Sequence, residues 1–386
     1  MTDRCDIAII GGGPVGAALA LALRGSGLNV RVLEARRADV PSADARALAL
    51  SYGSRLLLSR LGIWDALHSV SAIRTIHVSQ RQRFGRAVLR ASEMQVPELG
   101  YVLPYPELHN ALDQAMRQGD GSAIYGASVT QLLGEAGQAV IRYRIDDAEQ
   151  LLHTRLAVVA DGGKLLAQHY PPETRDYGQS AVITHVTCSA PQADIAFERF
   201  TAQGPLALLP YRDGYELVWT APHEQAQEIL HWDEVTFLAR LHEHFGDRVG
   251  VFLKVGQRSC FPLGLKRAPQ TVPMPHTVLL GNAAQTLHPV AGQGFNMGVR
   301  DAWELAQEIL DSAPETLGSD TMLAAYCARR RTDREAGIHF TDSLVRLFSN
   351  DLPLLGAARG AALSALDCLP FAKRFVAKRM MFGANG

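Results

Sequence analysis

Three glycines near the start of the chain, Gly11, Gly13 and Gly16, have the spacing G-x-G-x-x-G. The apolar run DIAII precedes them and AALALALRGSG follows, so the pattern predicts a strand, a tight turn and a helix. In such a turn the first glycine permits the bend, the second lets phosphates approach the backbone, and the third lets helix and strand pack closely. Because the helix start offers free N–H groups to the phosphates, the segment predicts a dinucleotide site.

A second apolar segment, NVRVLEA, follows this helix and ends close to the acidic residue Glu34. A carboxylate at the end of that strand can accept hydrogen bonds from the ribose hydroxyls of adenosine. It would repel a 2′-phosphate, so the segment disfavours NADP at this position and leaves NAD and FAD open. The sequence carries one such fingerprint, whereas an enzyme that binds FAD and NADPH in two separate Rossmann domains needs two.

A glycine-rich segment later in the chain, GNAAQTLHPVAGQGFN at 281–296, lies between the apolar run VLL and an amphipathic helix. So few bulky side chains at a helix start predict a ligand that lies against bare backbone. Two shorter segments add polar groups, Arg46 in ADARALAL and Asp161 after the apolar run LAVVA. Taken alone, Arg46 is also consistent with a surface arginine, and Asp161 with an ordinary Asp-Gly turn.

Together these segments resemble the class A flavoprotein monooxygenases, the p-hydroxybenzoate-hydroxylase-like family, and within it the ubiquinone-biosynthesis hydroxylases. The resemblance covers most of the chain and rests on 11–16, on DARALAL at 44–50, on ADG at 160–162 and on 281–296. Most family members have G-D-A-A-H where this chain has GNAAQ. The form GNAAQTLHP is similar to the 2-polyprenyl-6-methoxyphenol hydroxylase branch.

The resemblance implies an FAD site made by the residues that match these motifs: Gly11, Gly13, Gly16, Glu34, Arg46, Asp161, Asn282, Pro289, Gly292, Gln293, Gly294, Phe295 and Asn296. The glycines of the later segment would let the flat flavin ring lie against backbone. The N–H groups at 294–296 would stabilise the negative charge that gathers at N1–C2 on reduction. Asn282 replaces the usual Asp, so it can accept a hydrogen bond but adds no negative charge.

The resemblance also implies an activity. It is that of an FAD-dependent monooxygenase that hydroxylates a polyprenylated phenol in ubiquinone biosynthesis through a flavin C4a-hydroperoxide. O2 would be the co-substrate and NAD(P)H a transient external reductant. Two alternatives stay open: a flavin-binding, non-catalytic subunit of a quinone-biosynthesis assembly, and another flavin oxidoreductase of the same fold. The halogenase element W-x-W-x-I-P is missing from the sequence.

The expected fold is α/β: a Rossmann-like FAD-binding domain of the GR2 type, interleaved with a mostly antiparallel β-sheet substrate domain and followed by C-terminal helices. The predicted boundaries are 1–72, 101–175 and 266–318 for the first domain, 73–100 and 176–265 for the second, and 319–386 for the helices. By resemblance, the substrate would lie between sheet and flavin. Its predicted wall, where each residue is also typical of plain sheet core, is Leu208, Pro210, Trp219, Phe261, Pro262 and Leu263.

No catalytic acid or base is assigned from the sequence. His288 precedes Pro289 beside the predicted flavin loop, where it would contact substrate or cofactor or cap the loop. The segment His242-Glu243-His244 favours a solvated helix face over a metal site, so no metal is expected.

The composition limits the partners and the location of the 386-residue chain. A net charge of −1 gives no basis for binding nucleic acid. Five widely spaced cysteines without C-x-x-C predict reduced thiols instead of a disulfide or zinc framework. No apolar stretch is long enough to span a membrane, and no signal peptide precedes the first strand, so we expect a cytoplasmic protein.

The C-terminal segment LPFAKRFVAKRMMFG combines four basic residues with Phe371, Phe375 and Phe382, which share one helical face. Two interpretations stay open. A basic helix with an aromatic stripe can lie on the inner face of the cytoplasmic membrane, but a helix packed on the FAD domain would show the same pattern. A lipid-tailed substrate slightly favours membrane contact of this helix. Other ubiquinone-biosynthesis proteins are further expected partners of the chain.

Overall fold

The computed structural model describes residues 3–40, 44, 46–119, 122–288, 292–348 and 353–384. The strands in these residues are β1 (Asp3–Ile10), β2 (Val30–Glu34), β3 (Ala47–Ser51), β4 (Ser71–Ile73), β5 (Thr75–Gln80), β6 (Arg86–Arg90), β7 (Gly100–Pro104), β8 (Ala123–Tyr125), β9 (Ser128–Glu135), β10 (Gln138–Ile145), β11 (Ala148–Val159), β12 (Glu173–Cys188), β13 (Ile195–Thr201), β14 (Gly204–Tyr211), β15 (Gly214–Pro222), β16 (Phe252–Val255), β17 (Ser259–Arg267), β18 (Thr277–Leu279) and β19 (Gln285–Thr286). The α-helices are α1 (Pro14–Ala22), α2 (Tyr52–Arg60), α3 (Ala91–Met94), α4 (Tyr105–Arg117), α5 (His223–His231), α6 (Glu234–Phe245), α7 (Gln293–Asp311), α8 (Asp320–Phe348), α9 (Pro353–Cys368) and α10 (Pro370–Phe382).

The first sheet has a parallel centre built around β1. Its order is β8-β2-β1-β11-β10-β9, and β18 pairs in parallel with the last residues of β11. Ile9 shares a core with Leu19 of α1 on one face, and Ala8 shares a core with Ile141 of β10 on the other. Because both faces are covered, β1 is a continuous apolar run with no polar alternation over its buried part.

The second sheet is mostly antiparallel, with the order β19-β17-β12-β15-β14-β13-β5-β6 and with β16 beside β12. Helices α5 and α6 cover one face, where Trp219 of β15 packs edge-on against Phe237 of α6 with ring centroids 5.7 Å apart. The other face turns towards the small sheet β3-β7-β4, since Leu209 and Tyr211 of β14 share a core with Val102 of β7. The exact domain boundaries stay a prediction.

The three C-terminal helices pack on both parts of the molecule: α8 lies against α7, α9 against β6 and α10 against α2. Phe382 packs edge-on against Tyr52 with ring centroids 6.1 Å apart, whereas Phe371 and Phe375 are 72% and 64% exposed. Of the three phenylalanines, only Phe371 and Phe375 are therefore strongly exposed, because the end of α10 packs on α2. Within the described residues, no helix is both long and apolar enough to cross a membrane.

A buried ion-pair network joins α7 to α8. Nε of Arg330 lies 2.8 Å from Asp301 Oδ1, and its Nη2 lies 2.7 Å from Asp333 Oδ2. Nε of Arg300 lies 3.1 Å from the same Asp333 oxygen. These side chains are almost fully buried. Taking charges out of water is costly, so the loss of one partner would leave an uncompensated buried charge.

Replacing Arg330 with methionine should destabilise the protein strongly, because Asp301 and Asp333 would lose a shared counter-ion. We expect the free energy of unfolding, measured by urea denaturation at neutral pH, to fall by about 3–5 kcal/mol. The matched control is Arg331→Met at an exposed position of the same helix, which should change it by less than ~0.5 kcal/mol. An equal loss in both variants would contradict a special role for the buried network.

Candidate cofactor site

The carboxyl ends of three parallel strands meet at one edge of the first sheet. Gly11 follows β1 with φ +105°, and a Cβ there would lie 2.6 Å from the Ala160 carbonyl oxygen at the end of β11. Gly163 approaches the loop after β18, because its added Cβ would lie 3.4 Å from the Asn282 carbonyl oxygen. At Gly11 only a residue without a side chain allows both the positive φ and the contact, so glycine determines how this edge closes.

Val15 in the first turn of α1 fills the space between two further glycines. A Cβ on Gly281 would lie 3.1 Å from Val15 Cγ2, and a Cβ on Gly298 of α7 would lie 2.9 Å from the same methyl group. A Cβ on Gly16 would collide with the carbonyl oxygen of Gly11. The N-terminal parts of α1 and α7 are therefore held side by side at the edge where the three strands end.

Two glycines at these helix starts face open space. Apart from the adjoining residues and the nearby backbone of the same helix, no heavy atom in the described part of the chain lies within 4 Å of a Cβ added to Gly13, the N-cap of α1, or to Gly294 in the first turn of α7. The first N–H groups of a helix lack an intrahelical partner and carry partial positive charge. Space beside both helix starts fits an anionic pyrophosphate and a flat ring on bare backbone, which are the requirements of FAD.

Glu34 lies at the end of β2 beside the glycine turn. The N–H of Gly12 donates to its Oε2 at 2.6 Å, and the N–H of Arg36 donates to its Oε1 at 2.8 Å. These two bonds hold the carboxylate against the start of the turn. Glu34 is half-buried, and a carboxylate has about four acceptor positions, so it retains acceptors for ribose hydroxyls. The ribose contact itself stays a prediction.

Asp161 shapes its own turn after β11. Its Oδ1 accepts the N–H of Gly163 at 2.8 Å, and its Oδ2 accepts the N–H of Leu165 at 2.6 Å. Asn282, by contrast, is exposed, and its side chain makes no hydrogen bond with any residue that the structure describes. Of these two predicted residues, Asn282 therefore has the more accessible side chain for a ribityl or phosphate group.

Asn296 fastens the start of α7 to the small sheet. Its Oδ1 accepts the N–H of Ser51 at 2.8 Å and the hydroxyl of Ser54 at 2.7 Å. Its Nδ2 donates to the carbonyl oxygens of Ala49 at 3.0 Å and Gly292 at 2.6 Å. The amide is thus fully engaged within the protein, so any contact of Asn296 with a flavin ring is left to the backbone.

The neighbouring predicted residues are also tied to the scaffold. Gln293 is buried, and its amide donates to the carbonyl of Met380 at 3.4 Å. Phe295 is half-buried against the helix-covered core of the first sheet. Gly292 has φ +61°, which favours glycine at this N-cap. Pro289 lies outside the described residues.

Arg46 connects the predicted cofactor residues to the predicted substrate wall. Its guanidinium lies 5.1 Å from the ring centroid of Phe261, and its Nε donates to Asp44 Oδ1 at 2.8 Å. The hydrogen bond to Asp44 raises the pKa of Arg46, so the side chain is cationic at every physiological pH. Arg46, just before β3, and Phe261 of β17 are therefore in cation–π contact.

Four of the six predicted wall residues turn away from the cofactor edge. Leu208 and Trp219 lie in the core that α5 and α6 cover. Pro210 shares the face of Leu208 two positions away, and the exposed Pro262 pairs with Ser180, which is hydrogen-bonded to α5. A substrate wall at these four positions stays a prediction, and their place on the helix-covered face does not favour it. Successive strand residues face opposite sides, and the apolar pattern alone does not tell which side is which.

Phe261 and Leu263 lie on the other face of the same strand. Phe261 pairs with Ala181 of β12 and Leu263 with Gln179, and both partners alternate with the helix-facing residues of that strand. Phe261 is half-buried and Leu263 is buried. With Arg46 stacked over Phe261, these two residues stay the candidates for a substrate wall.

His288 immediately precedes the flavin loop and is buried. Burial lowers the pKa of this imidazole to about 4, so it is neutral at physiological pH. Its ring lies edge-on to Tyr177 with centroids 5.5 Å apart, and the Tyr177 hydroxyl donates to Asp342 at 3.1 Å. A neutral ring in packed surroundings suits a structural role beside the loop and makes a poor proton acceptor.

Glu198 of β13 is a titratable residue that the sequence did not single out. It shares the face of Phe261, pairs with Val78 and Ala207, and makes no hydrogen bond or ion pair with any described residue. It keeps some accessible surface, and burial raises its pKa to about 7. Four strand spacings of about 4.8 Å separate it from β17, which places it outside the space beside Arg46.

The chain matches the family described as FAD binding domain over residues 4–341, and it belongs to that family. An uncharacterized Synechocystis protein, slr1300, is 33% identical over 393 residues, which cover 100% of this chain and 94% of the relative. Ubiquinone hydroxylase UbiL of Rhodospirillum rubrum is 32% identical, covering 97% and 89%. The 3-demethoxyubiquinol 3-hydroxylase of Escherichia coli is 31% identical, covering 97% and 98%.

Among solved structures, the p-nitrophenol 4-monooxygenase PnpA of Pseudomonas putida superposes with a TM-score of 0.77. It covers 99% of this chain and 100% of its own, at 17% identity. This likeness confirms the predicted α/β fold of the class A flavin monooxygenases, with mixed sheets and C-terminal helices. Family, relatives and fold together make the chain an FAD-dependent monooxygenase.

Gly294→Trp should abolish FAD binding without unfolding the protein, because the new ring would enter the open space beside α7. We expect the purified variant to lack flavin absorbance and releasable FAD while its far-UV circular dichroism stays that of the wild type. Gly294→Ala is the matched control, since the open space accommodates one methyl group. Full FAD content in Gly294→Trp would contradict a flavin lying against the first turn of α7.

Glu198→Gln should change how stability depends on pH. The folded-state pKa of Glu198 is about 7, above the value of 4.5 for a free side chain, so wild-type stability falls as pH rises through this window. At alkaline pH we expect the free energy of unfolding of the variant to exceed that of the wild type by up to about 3 kcal/mol. In acid the two values should be similar. Urea denaturation across pH measures this. Glu224→Gln, at an exposed position of α5, is the control. If the free energy of unfolding depends on pH in the same way for wild type and Glu198→Gln, the Glu198 carboxyl does not have a raised pKa.

Proposed function

We propose that this monooxygenase hydroxylates the ring of a polyprenylated phenol in ubiquinone biosynthesis, with FAD as cofactor, O2 as co-substrate and NAD(P)H as transient reductant. The observation that carries the proposal is the open, bare-backbone space at the starts of α1 and α7. Phe261, in contact with Arg46, and Leu263 would border this space. Support for the substrate comes from the two named hydroxylase relatives, which are 32% and 31% identical over 97% of this chain.

Bound FAD would supply the activated oxygen, and the chain would supply position and dry surroundings. The N–H groups at the start of α1, around Gly13, would hold the pyrophosphate. The exposed amide of Asn282 would contact the ribityl chain. The N–H groups around Gly294 would stabilise negative charge on the reduced ring, because they lie at the positive end of α7.

The substrate would lie between this site and the second sheet. Phe261 and Leu263 would form an apolar wall against the phenol, and Arg46 would hold the Phe261 ring in place from above. In this arrangement the first domain, 1–72, 101–175 and 266–318, would bind the cofactor. The second domain, 73–100 and 176–265, would cover the substrate, and the C-terminal helices, 319–386, would close the remaining side.

A polyprenyl tail partitions into lipid, so we infer that the enzyme works at the cytoplasmic surface of a membrane. The exposed rings of Phe371 and Phe375 on α10, with neighbouring basic residues, are suited to the interfacial region. Other proteins of ubiquinone biosynthesis would be encountered there.

The activity is tested by oxygen consumption of the FAD-loaded protein with NADH or NADPH, with and without a short-chain polyprenylated phenol. We expect phenol-dependent oxidation of the reductant and a product that carries one oxygen atom from isotopically labelled O2. Oxidation of the reductant that yields only peroxide, with every phenol tried, would favour another flavin oxidoreductase. Bound FAD without any turnover would favour a non-catalytic subunit.

Phe261→Ala should raise the KM for the phenol roughly tenfold to a hundredfold, because burial of an aromatic side chain contributes about 1.5–3 kcal/mol. More peroxide per turnover should accompany it, since water would reach the site. Pro262→Ala changes the adjacent residue on the opposite face and should shift KM by less than about twofold. A larger effect at Pro262 than at Phe261 would contradict the assignment of faces.

A further inference from the structure

A cavity of about 410 Å³ opens on the second sheet, on the face that α6 covers. We call it the arginine cavity, because it is lined by Arg83, Arg86, Arg199 and Arg248. Its described lining also contains serine, glutamine and glycine but no acidic and no aromatic residue. The volume is in the range of sites that hold small molecules.

Strand register brings residues that are distant in sequence to this cavity. Arg199 of β13 pairs with Ser79 of β5, which pairs with Arg86 of β6, so the three side chains lie on one face at spacings of about 5 Å. Arg248 reaches the same face from the turn after α6, and its Nη1 donates to Ser79 Oγ at 3.2 Å. Arg83 comes from the turn between β5 and β6. Three separate stretches of the chain thus deliver four arginines to one space.

Few carboxylates lie near these positive charges: Asp367 of α9 interacts electrostatically with Arg86 without forming an ion pair with it. In the described part of the chain, none of the four arginines forms an ion pair with a carboxylate, and the buried Nε of Arg199 has no hydrogen-bond partner. The nearby Glu243 pairs with Arg81 at 3.2 Å and Arg240 at 3.1 Å. Glu198 precedes Arg199 in sequence but faces the opposite side of the sheet. The cavity therefore concentrates unpaired positive charge.

The ionisation of neighbouring groups reflects this concentration. Burial and then proximity to Arg248 lower the pKa of Arg199, and burial and then Arg86 lower the pKa of Arg248. Burial and the same cations lower the pKa of His77, beside Arg248, to about 4, so its imidazole is neutral at physiological pH. Like charges are held together against their repulsion, and a bound anion would offset it.

The turn that carries Arg83 is held in place by α9. A Cβ on Gly85 would collide with the carbonyl of Gly360, and a Cβ on Gly360 would lie 2.5 Å from the carbonyl oxygen of Phe84. Contact between backbones at two glycines fixes the turn, so Arg83 is positioned before any ligand arrives. Phe84, next to Arg83, is 61% exposed.

We propose that the arginine cavity binds a phosphate-bearing anion, either a soluble diphosphate or the phosphate head group of an anionic lipid. Guanidinium groups donate paired hydrogen bonds to phosphate oxygens, and several of them match a group of more than one negative charge. The lining offers no aromatic ring on which a nucleotide base could stack. Because the cavity lies on the sheet face opposite to Phe261, its ligand takes no part in oxygen transfer.

Binding to the FAD-loaded protein tests this proposal in two arms. The first is isothermal titration with inorganic diphosphate at constant ionic strength. The second is flotation with phosphatidylcholine vesicles that do or do not contain phosphatidylglycerol. We expect Arg199→Gln to weaken diphosphate binding, or phosphatidylglycerol-dependent flotation, at least tenfold. Because it removes one of several like charges, it should not lower the Tm of the anion-free protein.

Arg212→Gln is the matched control, because it removes an exposed arginine from the turn between β14 and β15, outside the cavity. Diphosphate binding without flotation assigns the site to a soluble anion. Flotation that requires both phosphatidylglycerol and Arg199 assigns it to a lipid head group. Equal weakening in both variants would overturn the proposal. So would wild-type protein that binds neither probe, or flotation that Arg199→Gln leaves intact without diphosphate binding.

Discussion

The packing of Val15 between Gly281 and Gly298 is the contact on which the candidate cofactor site depends. It brings the starts of α1 and α7 together, so that two sets of unpaired N–H groups open on one space. Protein interiors are close-packed, so a side chain at Gly298 would push α7 away from α1, and one at Gly281 would push the segment after β18 away from α1. On its other side α7 is anchored to α8 through Arg330 and Asp301, and the helix is therefore held from two directions.

Most polar side chains at this edge bind protein, which leaves the backbone to meet the ligand. The amide of Asn296 is fully used in joining α7 to β3, Asp161 orders its own turn with two hydrogen bonds, and Glu34 anchors the glycine turn. Buried polar groups must be paired whether or not a cofactor is bound, so such groups make a scaffold that is rigid beforehand. The exposed amide of Asn282 is the exception. A flat, anionic cofactor is thus met chiefly by N–H groups and bare glycine.

This division explains how far the sequence could predict the site. The spacing of Gly11, Gly13 and Gly16 acts within one continuous segment, so strand, turn and helix could be predicted locally. The sequence could not predict whether Trp219 or Phe261 forms the substrate wall, because that depends on how β15, β12 and β17 pair. The arginine cavity was out of reach for the same reason, since its residues come from three strands and two turns that meet only in the folded sheet.

The strand β13 shows what that pairing decides. Glu198 lies on the sheet face that carries Phe261, whereas Arg199 faces the arginine cavity, and a shift of one residue would exchange them. The shifted register would place Glu198 among the arginines, where it would be paired, so local electrostatics do not favour the register that forms. The burial of apolar side chains favours this register, because Phe197 fills the core under α6 and Phe200 fills the core against α8 and α9. Apolar packing therefore overrides the pairing of charges, and it leaves the arginines free to bind an anion from outside the protein.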